Sequence, residues 1–240
     1  MAILYGIADS ERELLSKLPK EVKSVDDVDR VRKDFYKKMK SQRKGYGRKS
    51  IFGIAFSEIK RFHYKRQVDK FQYKKVGRLT TGTHGENDVI DELSKLDDNY
   101  HILCGVAIEL PRWTTYDGEK NLKSAQMDIV VVCPKGVFMI EVKNYTDEFA
   151  RAKKWKFSPY EQTDRAGRVL WIAMQDILED CKITNVLLSI RGNLGYTNAF
   201  KFVNVSSLKQ INDFITKRQD YLDTDEIEHV VEKLADYIED

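Results

Sequence analysis

Residues Gln126–Asn144, QMDIVVVCPKGVFMIEVKN, decide how the rest of this chain is read. Two runs rich in β-branched residues, Ile129–Val132 and Val137–Val142, flank Cys133-Pro134-Lys135-Gly136. Pro at the second turn position and Gly at the fourth favour a type I turn, so the stretch reads as a tight antiparallel hairpin. A two-residue loop at Pro134-Lys135 sets Asp128 opposite Glu141. Strand alternation then puts Glu141 and Lys143 on one face with Asp128 beside them. A bulge at Gly136 would shift this register by about one residue and part the three groups. In the unbulged register, two carboxylates and an ammonium meet at the end of an apolar hairpin. That is costly to bury without a purpose.

Working outward, Glu86–Leu96 (ENDVIDELSKL) has the period of an amphipathic helix with Val89, Ile90, Leu93 and Leu96 inward. Glu86 is expected in its first turn, where the helix dipole by itself would account for a carboxylate. His101–Leu110 reads as a strand, and Pro111–Ala125 as a polar loop. After the hairpin, Lys153–Phe157 can add a short strand. Pro159 opens a helix at Tyr160–Leu178, Ile183–Ile190 is a buried strand, and Lys201–Val205 is another. Ser207–Thr216 and Asp225–Ile238 read as helices, the last with capping-box spacing at Asp223 and Glu226. Helix, three strands, helix, two strands and closing helices predict an α/β fold with a mixed central sheet flanked by helices.

The N-terminal third is different. From Pro19 to Arg78 there are 20 Lys and Arg against 7 Asp and Glu, a balance of +13. The remainder carries −10 in a chain whose total is +3. Residues 9–18 and a stretch starting near Ser24 read as helices. Residues Lys40–Ser50 read as a basic loop, Ile51–Val76 as a long helix and Gly77–Gly85 as a turn-rich junction. This divides the chain into a basic helical extension, residues 1–80, and a core, residues 81–240. Arg43, Lys44, Arg48, Lys49, Lys65 and Arg66 are candidate phosphate contacts, because Lys and Arg neutralise a nucleic-acid backbone whatever its sequence. A solvated linker and ordinary helix packing are the plain alternatives for the same residues.

Composition narrows the remaining classes. Hydrophobic residues make up 42% and aromatics 11%, enough for a real core. No apolar run approaches the roughly 20 residues that span a bilayer, and MAILYGIADSERE lacks the basic and hydrophobic regions of a signal peptide. Cys104, Cys133 and Cys181 are widely spaced and lie in or beside apolar runs, as expected of reduced structural thiols in a cytoplasmic protein. Zinc-ligand spacing and a Walker-type phosphate loop are both missing from the sequence.

Asp128 followed by Glu141-Val142-Lys143 is the D…ExK arrangement of metal-dependent nucleases. Carboxylates supply the hard oxygens that Mg²⁺ prefers, the ion makes a bound water acidic enough to attack a phosphate, and the lysine can stabilise developing charge. A lone D…ExK occurs often by chance, and the bland reading is a strand-end ion pair. The ordered set is more specific. Gly85-Glu86 at a helix, Gln126-x-Asp128, Gly136-Val137-Phe138, Ile140–Asn144 and Gln162 after Ser158-Pro159 together resemble the nuclease-related domain family of the PD-(D/E)XK nuclease superfamily. The resemblance spans about residues 82–215. It implies a restriction-endonuclease-like core with Mg²⁺ or Mn²⁺ at Glu86, Asp128 and Glu141, Lys143 as catalytic lysine, and Gln162 orienting a catalytic group or the substrate. Ile129 stands where members commonly carry His, and Asp147 where a Gly often follows the ExK strand.

The expected function is metal-dependent hydrolysis of phosphodiester bonds, in DNA rather than RNA, with the basic region gripping the backbone. A catalytically silent nucleic-acid-binding or adaptor module on the same fold is the alternative. The N-terminal helices also offer a docking or oligomerisation surface.

Overall fold

The computed structural model describes residues 1–45, 62–63, 65–66, 74–116, 118–152, 157–178 and 182–238. Six strands form one sheet in chain order: β1 (Ile3–Tyr5), β2 (His101–Tyr116), β3 (Glu119–Cys133), β4 (Gly136–Lys143), β5 (Ile183–Ser189) and β6 (Val203–Ser207). β2, β3 and β4 pair antiparallel, while β1 joins β2, β5 joins β4 and β6 joins β5 in parallel, so the sheet is mixed. The α-helices bounded within the described residues are α1 (Asp9–Lys17), α2 (Asp27–Gly45), α3 (Lys74–Leu93), α4 (Asp147–Ala152), α5 (Pro159–Met174), α6 (Ile211–Thr216) and α7 (Thr224–Ala235).

The chain divides into two units, one of Met1–Asp9 with Gly85–Asp240 and the other of Ser10–His84. In the first, helices cover both faces of the sheet, as the α/β expectation required. On one face Val130 and Val132 of β3 and Val137 and Met139 of β4 pack with Val169 and Leu170 of α5 and Val230 and Leu234 of α7. On the other, Phe138 and Ile140 pack with Val89 and Leu93 of α3 and Ile211 and Ile215 of α6. β4 is buried on both faces along almost its whole length, which explains its continuous apolar run. Asp223 and Glu226 close the expected capping box at α7. Ser10–His84 has its own apolar cluster, built by Leu14, Leu18, Val25, Val28, Val31 and Phe35.

The hairpin has the unbulged register. Ile129 pairs with Ile140, Val131 with Phe138 and Cys133 with Gly136, so the loop is Pro134-Lys135 and nothing slips. Neither loop residue takes a positive φ, and Gly136, at φ 114°, absorbs the twist that an unprimed turn leaves between the strands.

Several expectations are corrected. Residues Gly77–Gly85 are not a turn-rich stretch: α3 runs unbroken from Lys74 to Leu93, and the division between the two units, after His84, falls within it. Gly82 and Gly85 serve close packing instead of turning. A Cβ on Gly82 would stand 3.1 Å from Ser10 Oγ, and one on Gly85 would stand 3.0 Å from Asn144 Nδ2. α2 continues to Gly45, through the first half of the expected basic loop. The expected polar loop after Leu110 is the outer half of a long ribbon, with Thr114 paired to Leu122 and Tyr116 to Glu119. Apart from Leu122, which is buried in the core, and Tyr116, which packs against it, its described residues are exposed or half-buried and largely polar, so the composition reads as a loop. β1 was not foreseen, being only three residues long, and it rests on the Ile3 N–H bond to Tyr100 O at 2.9 Å. The strand expected at Lys153–Phe157 falls, but for Phe157, outside the described residues, as does most of the helix expected over Ile51–Val76.

Candidate functional site

The C-terminal end of β4 gathers the predicted residues. Pairing between β3 and β4 stops at Ile129 and Ile140, one step before Asp128 and Glu141. Beyond that point the Asp128 side chain takes over the role of the neighbouring strand, with Oδ2 accepting the Val142 N–H at 2.7 Å. Gly105 lies across from Asp128 on β2, between the pairs Cys104–Ile129 and Val106–Met127, and has φ 65°. A left-handed glycine inside a strand is a local break in regular pairing. Asp128 thus sits where the sheet loosens on both of its sides. The sequence signal for this kink is the single glycine inside His101–Leu110.

Glu141 and Lys143 continue the row of Val137 and Met139, on the α5 face. Glu141 is 7% exposed, and its Oε1 accepts from Lys143 Nζ at 2.5 Å. Glu86 is 5% exposed and belongs to the middle of α3, not to a helix start. The dipole explanation for its charge therefore lapses, since that effect is confined to the first turn. Gln162, exposed near the start of α5, lines one cavity of about 450 Å³ with Glu141 and Gln126. The Ser158 side chain accepts the Glu161 N–H to cap this helix, with Pro159 at its first turn. Gln126 donates from Nε2 to Asp9 Oδ1 at 2.5 Å, which ties the motif to the first residue of α1.

Electrostatics bind these groups together. Burial, then the charges of Glu141 and Glu86, hold the Asp128 carboxyl well above the ordinary carboxylate range, and Lys143 with the Val142 N–H pulls it only partly back. Burial acts to lower the Lys143 ammonium, but Glu141 and Asp128 override it, and its pKa stands above the usual lysine value. Cys104 is pushed up to about 12 by burial, with Glu86 and Asp128 adding to the effect. Cys104 and Cys133 are buried free thiols, and Cys181 lies outside the described residues.

Three mutually repelling carboxylates with one ammonium form a hard-oxygen donor set of the kind a divalent cation satisfies. The charges therefore fit Mg²⁺ or Mn²⁺. Their spacing is open, however: among the described residues no three Asp, Glu, His or Cys side chains are gathered closely enough to hold an ion, and Lys143 occupies one oxygen of Glu141.

A second network locks the loops beyond β4 and β5. Asn144 lies against the Cα of Gly85, next to Glu86, and its Oδ1 accepts from Arg191 Nε at 2.6 Å. Gly192 leaves no room for a Cβ, which would meet Tyr145 O at 2.9 Å. Asp147, one of the two departures from the family pattern, accepts the Asn193 N–H at 3.0 Å.

Of the predicted phosphate contacts, Lys65 and Arg66 are helical and exposed. Arg43 and Lys44 lie on α2, with side chains outside the described residues, and Arg48 and Lys49 lie wholly outside them. Among the described residues no helix is long and apolar enough to cross a membrane.

The family model of the nuclease-related domain matches residues 81–189. No curated protein and no solved structure matches the chain. Over residues 81–189, which contain Glu86, Asp128, Glu141, Lys143 and Gln162, the chain is similar to the nuclease-related domain family.

Proposed function

We propose that the protein is a metal-dependent nuclease that hydrolyses phosphodiester bonds, in DNA rather than RNA, on a restriction-endonuclease-like core. The observation that carries this reading is the meeting of Asp128, Glu141 and Lys143 at the loosened end of β4, with Glu86 close enough to act on the Asp128 carboxyl. Perturbed carboxylates of this kind concentrate at functional sites.

Asp128 and Glu141 would hold Mg²⁺ or Mn²⁺, with Glu86 as a further donor. When bound, such an ion supplies charge to the phosphate and acidity to a water. Lys143 keeps its proton and carries positive charge beside the carboxylates, where it can stabilise negative charge building on the phosphate. The Val142 N–H fixes the orientation of the Asp128 carboxylate. Gln162 faces the cavity shared with Glu141 and is placed to orient a water or a phosphate oxygen. The exposed Lys65 and Arg66, with Arg43, Lys44, Arg48 and Lys49, would grip the backbone.

The reading of a catalytically silent binding module draws its support from the open carboxylate spacing and from the Lys143–Glu141 pair. Cleavage assays separate the two. Wild type with Mn²⁺ is expected to cut plasmid, linear or single-stranded DNA, and Asp128→Ala and Glu141→Ala to lose about 10³-fold or more in rate, since each removes a group the reaction centre depends on. Equal activity of wild type and both variants on every substrate would sink the nuclease assignment. Salt-sensitive binding without cleavage would favour the silent module.

A further inference from the structure

A cavity of about 760 Å³ opens beside the candidate site, at the C-terminal ends of β5 and β6. It begins next to Lys143: Ser189, in its wall, is the β5 partner of Lys143, and the Ile190 N–H donates to Lys143 O at 3.0 Å. Crevices at the C-terminal ends of parallel strands are the usual place for ligands in sheets of this kind.

Its lining is nearly neutral, with Arg191 and Asp147 the only charged residues and Ser, Asn and Gln side chains making up much of the rest. Asp147 is spent on the Asn193 N–H, which shapes the wall. Arg191 is exposed and held through Nε by Asn144, the residue after Lys143. Its two terminal nitrogens have no protein hydrogen bond among the described residues. A guanidinium held in this way presents a ready fork to a phosphate. Tyr196, 64% exposed, stands at the same cavity.

A duplex grip draws on rows of Lys and Arg along two backbones. This cavity instead offers one fork, the exposed ring of Tyr196 and a set of neutral hydrogen-bonding groups, with Phe214 also in its wall. That combination suits one unstacked nucleotide, with its phosphate fixed, its base stacked and its polar edges met.

We propose that this cavity receives the nucleotide flanking the scissile phosphate, with Arg191 on that nucleotide's phosphate and Tyr196 on its base. The preferred substrate is then a single strand or a frayed end. The proposal rests on the nuclease reading and names its substrate class.

The test measures binding of a fluorescein-labelled 12-nucleotide DNA strand, and of a blunt hairpin duplex of equal length, to the full chain in EDTA across a salt series. Cleavage of the same strands with Mn²⁺ is followed in parallel. Wild type is expected to favour the single strand about tenfold. Tyr196→Ala weakens single-strand binding about tenfold and duplex binding less than twofold. Arg191→Ala weakens single-strand binding and lowers its salt slope by about 0.7, the share of one phosphate. Should Arg191→Ala melt early, Arg191→Lys serves in its place. It keeps the charge, and so the slope, while losing the fork and the Asn144 anchor, and so affinity. Wild-type-like binding by both variants, or no preference for the single strand, overturns the subsite even if Mn²⁺-dependent cleavage is present. Absent cleavage with the binding pattern intact overturns the nuclease reading instead.

Discussion

Asp128→Asn is expected to raise the thermal stability of the metal-free protein while removing Mn²⁺-dependent cleavage. The carboxyl is desolvated and flanked by Glu141 and Glu86, and its pKa stands well above normal even with Lys143 nearby. Net of all neighbours, the charged form is therefore disfavoured in the folded state. Asn removes that charge and keeps an oxygen for the Val142 N–H. A gain of about 1–2 kcal/mol is the usual size when a strained functional group is relieved, or roughly 3–6 °C in Tm for a chain of this size. The melt must be run in EDTA, because a bound ion would stabilise wild type by mass action and reverse the order. A wild type that melts well above Asp128→Asn in EDTA would mean that Asp128 belongs to a structural ion-pair network.

Lys143→Met is expected to have the opposite effect. The Lys143 and Glu141 side chains are only 18% and 9% exposed, and removing one member of a buried pair leaves an uncompensated charge, at a cost of about 3 kcal/mol or more. Here two carboxylates lose their only close cation among the groups that set the Asp128 pKa. Differential scanning fluorimetry in EDTA should show a fall of roughly 6–12 °C, and millimolar Mn²⁺ should recover much of it by supplying the missing charge. Cleavage should fall about 10²–10³-fold, the range for losing one group that stabilises transition-state charge. If Lys143→Met melts with wild type in EDTA, Lys143 is not the countercharge of this site. The opposite signs at Asp128 and Lys143 are the useful signature, because an ordinary surface ion pair would lose little from either change.

Where the sequence could be read, local chemistry and packing agreed. The Pro-Lys loop with a following glycine imposed the hairpin register, and that register brings Asp128 and Glu141 to the step just past its last pair, Ile129 with Ile140. Ser158-Pro159 marked the start of α5, and Asp223 with Glu226 marked that of α7, because caps act within a single turn. The failures came where distant contacts overrode local signals. Gly77, Gly82 and Gly85 look like turn residues, yet α3 runs through them, and at Gly85 the missing Cβ makes room for Asn144, some sixty positions away in the sequence. In the outer ribbon of β2 and β3 few residues beyond Leu122 and Tyr116 meet the core, so the regular alternation that would mark a strand is lost. The link from Gly85 through Asn144 to Arg191 was equally hidden. Asn144 stood in the quoted motif, but its two partners lie far from it in the sequence, Gly85 before it and Arg191 after it.

The measurement that bears most directly on the central claim is calorimetric titration of Mn²⁺ into the full chain and its variants. Wild type is predicted to bind with a clear isotherm, Glu86→Gln to bind about 10–100-fold more weakly, and Asp128→Asn and Glu141→Gln to give no isotherm at all. A wild type that takes up no Mn²⁺, or an isotherm that survives unchanged in Asp128→Asn and Glu141→Gln, would contradict the assignment of these carboxylates as a metal site.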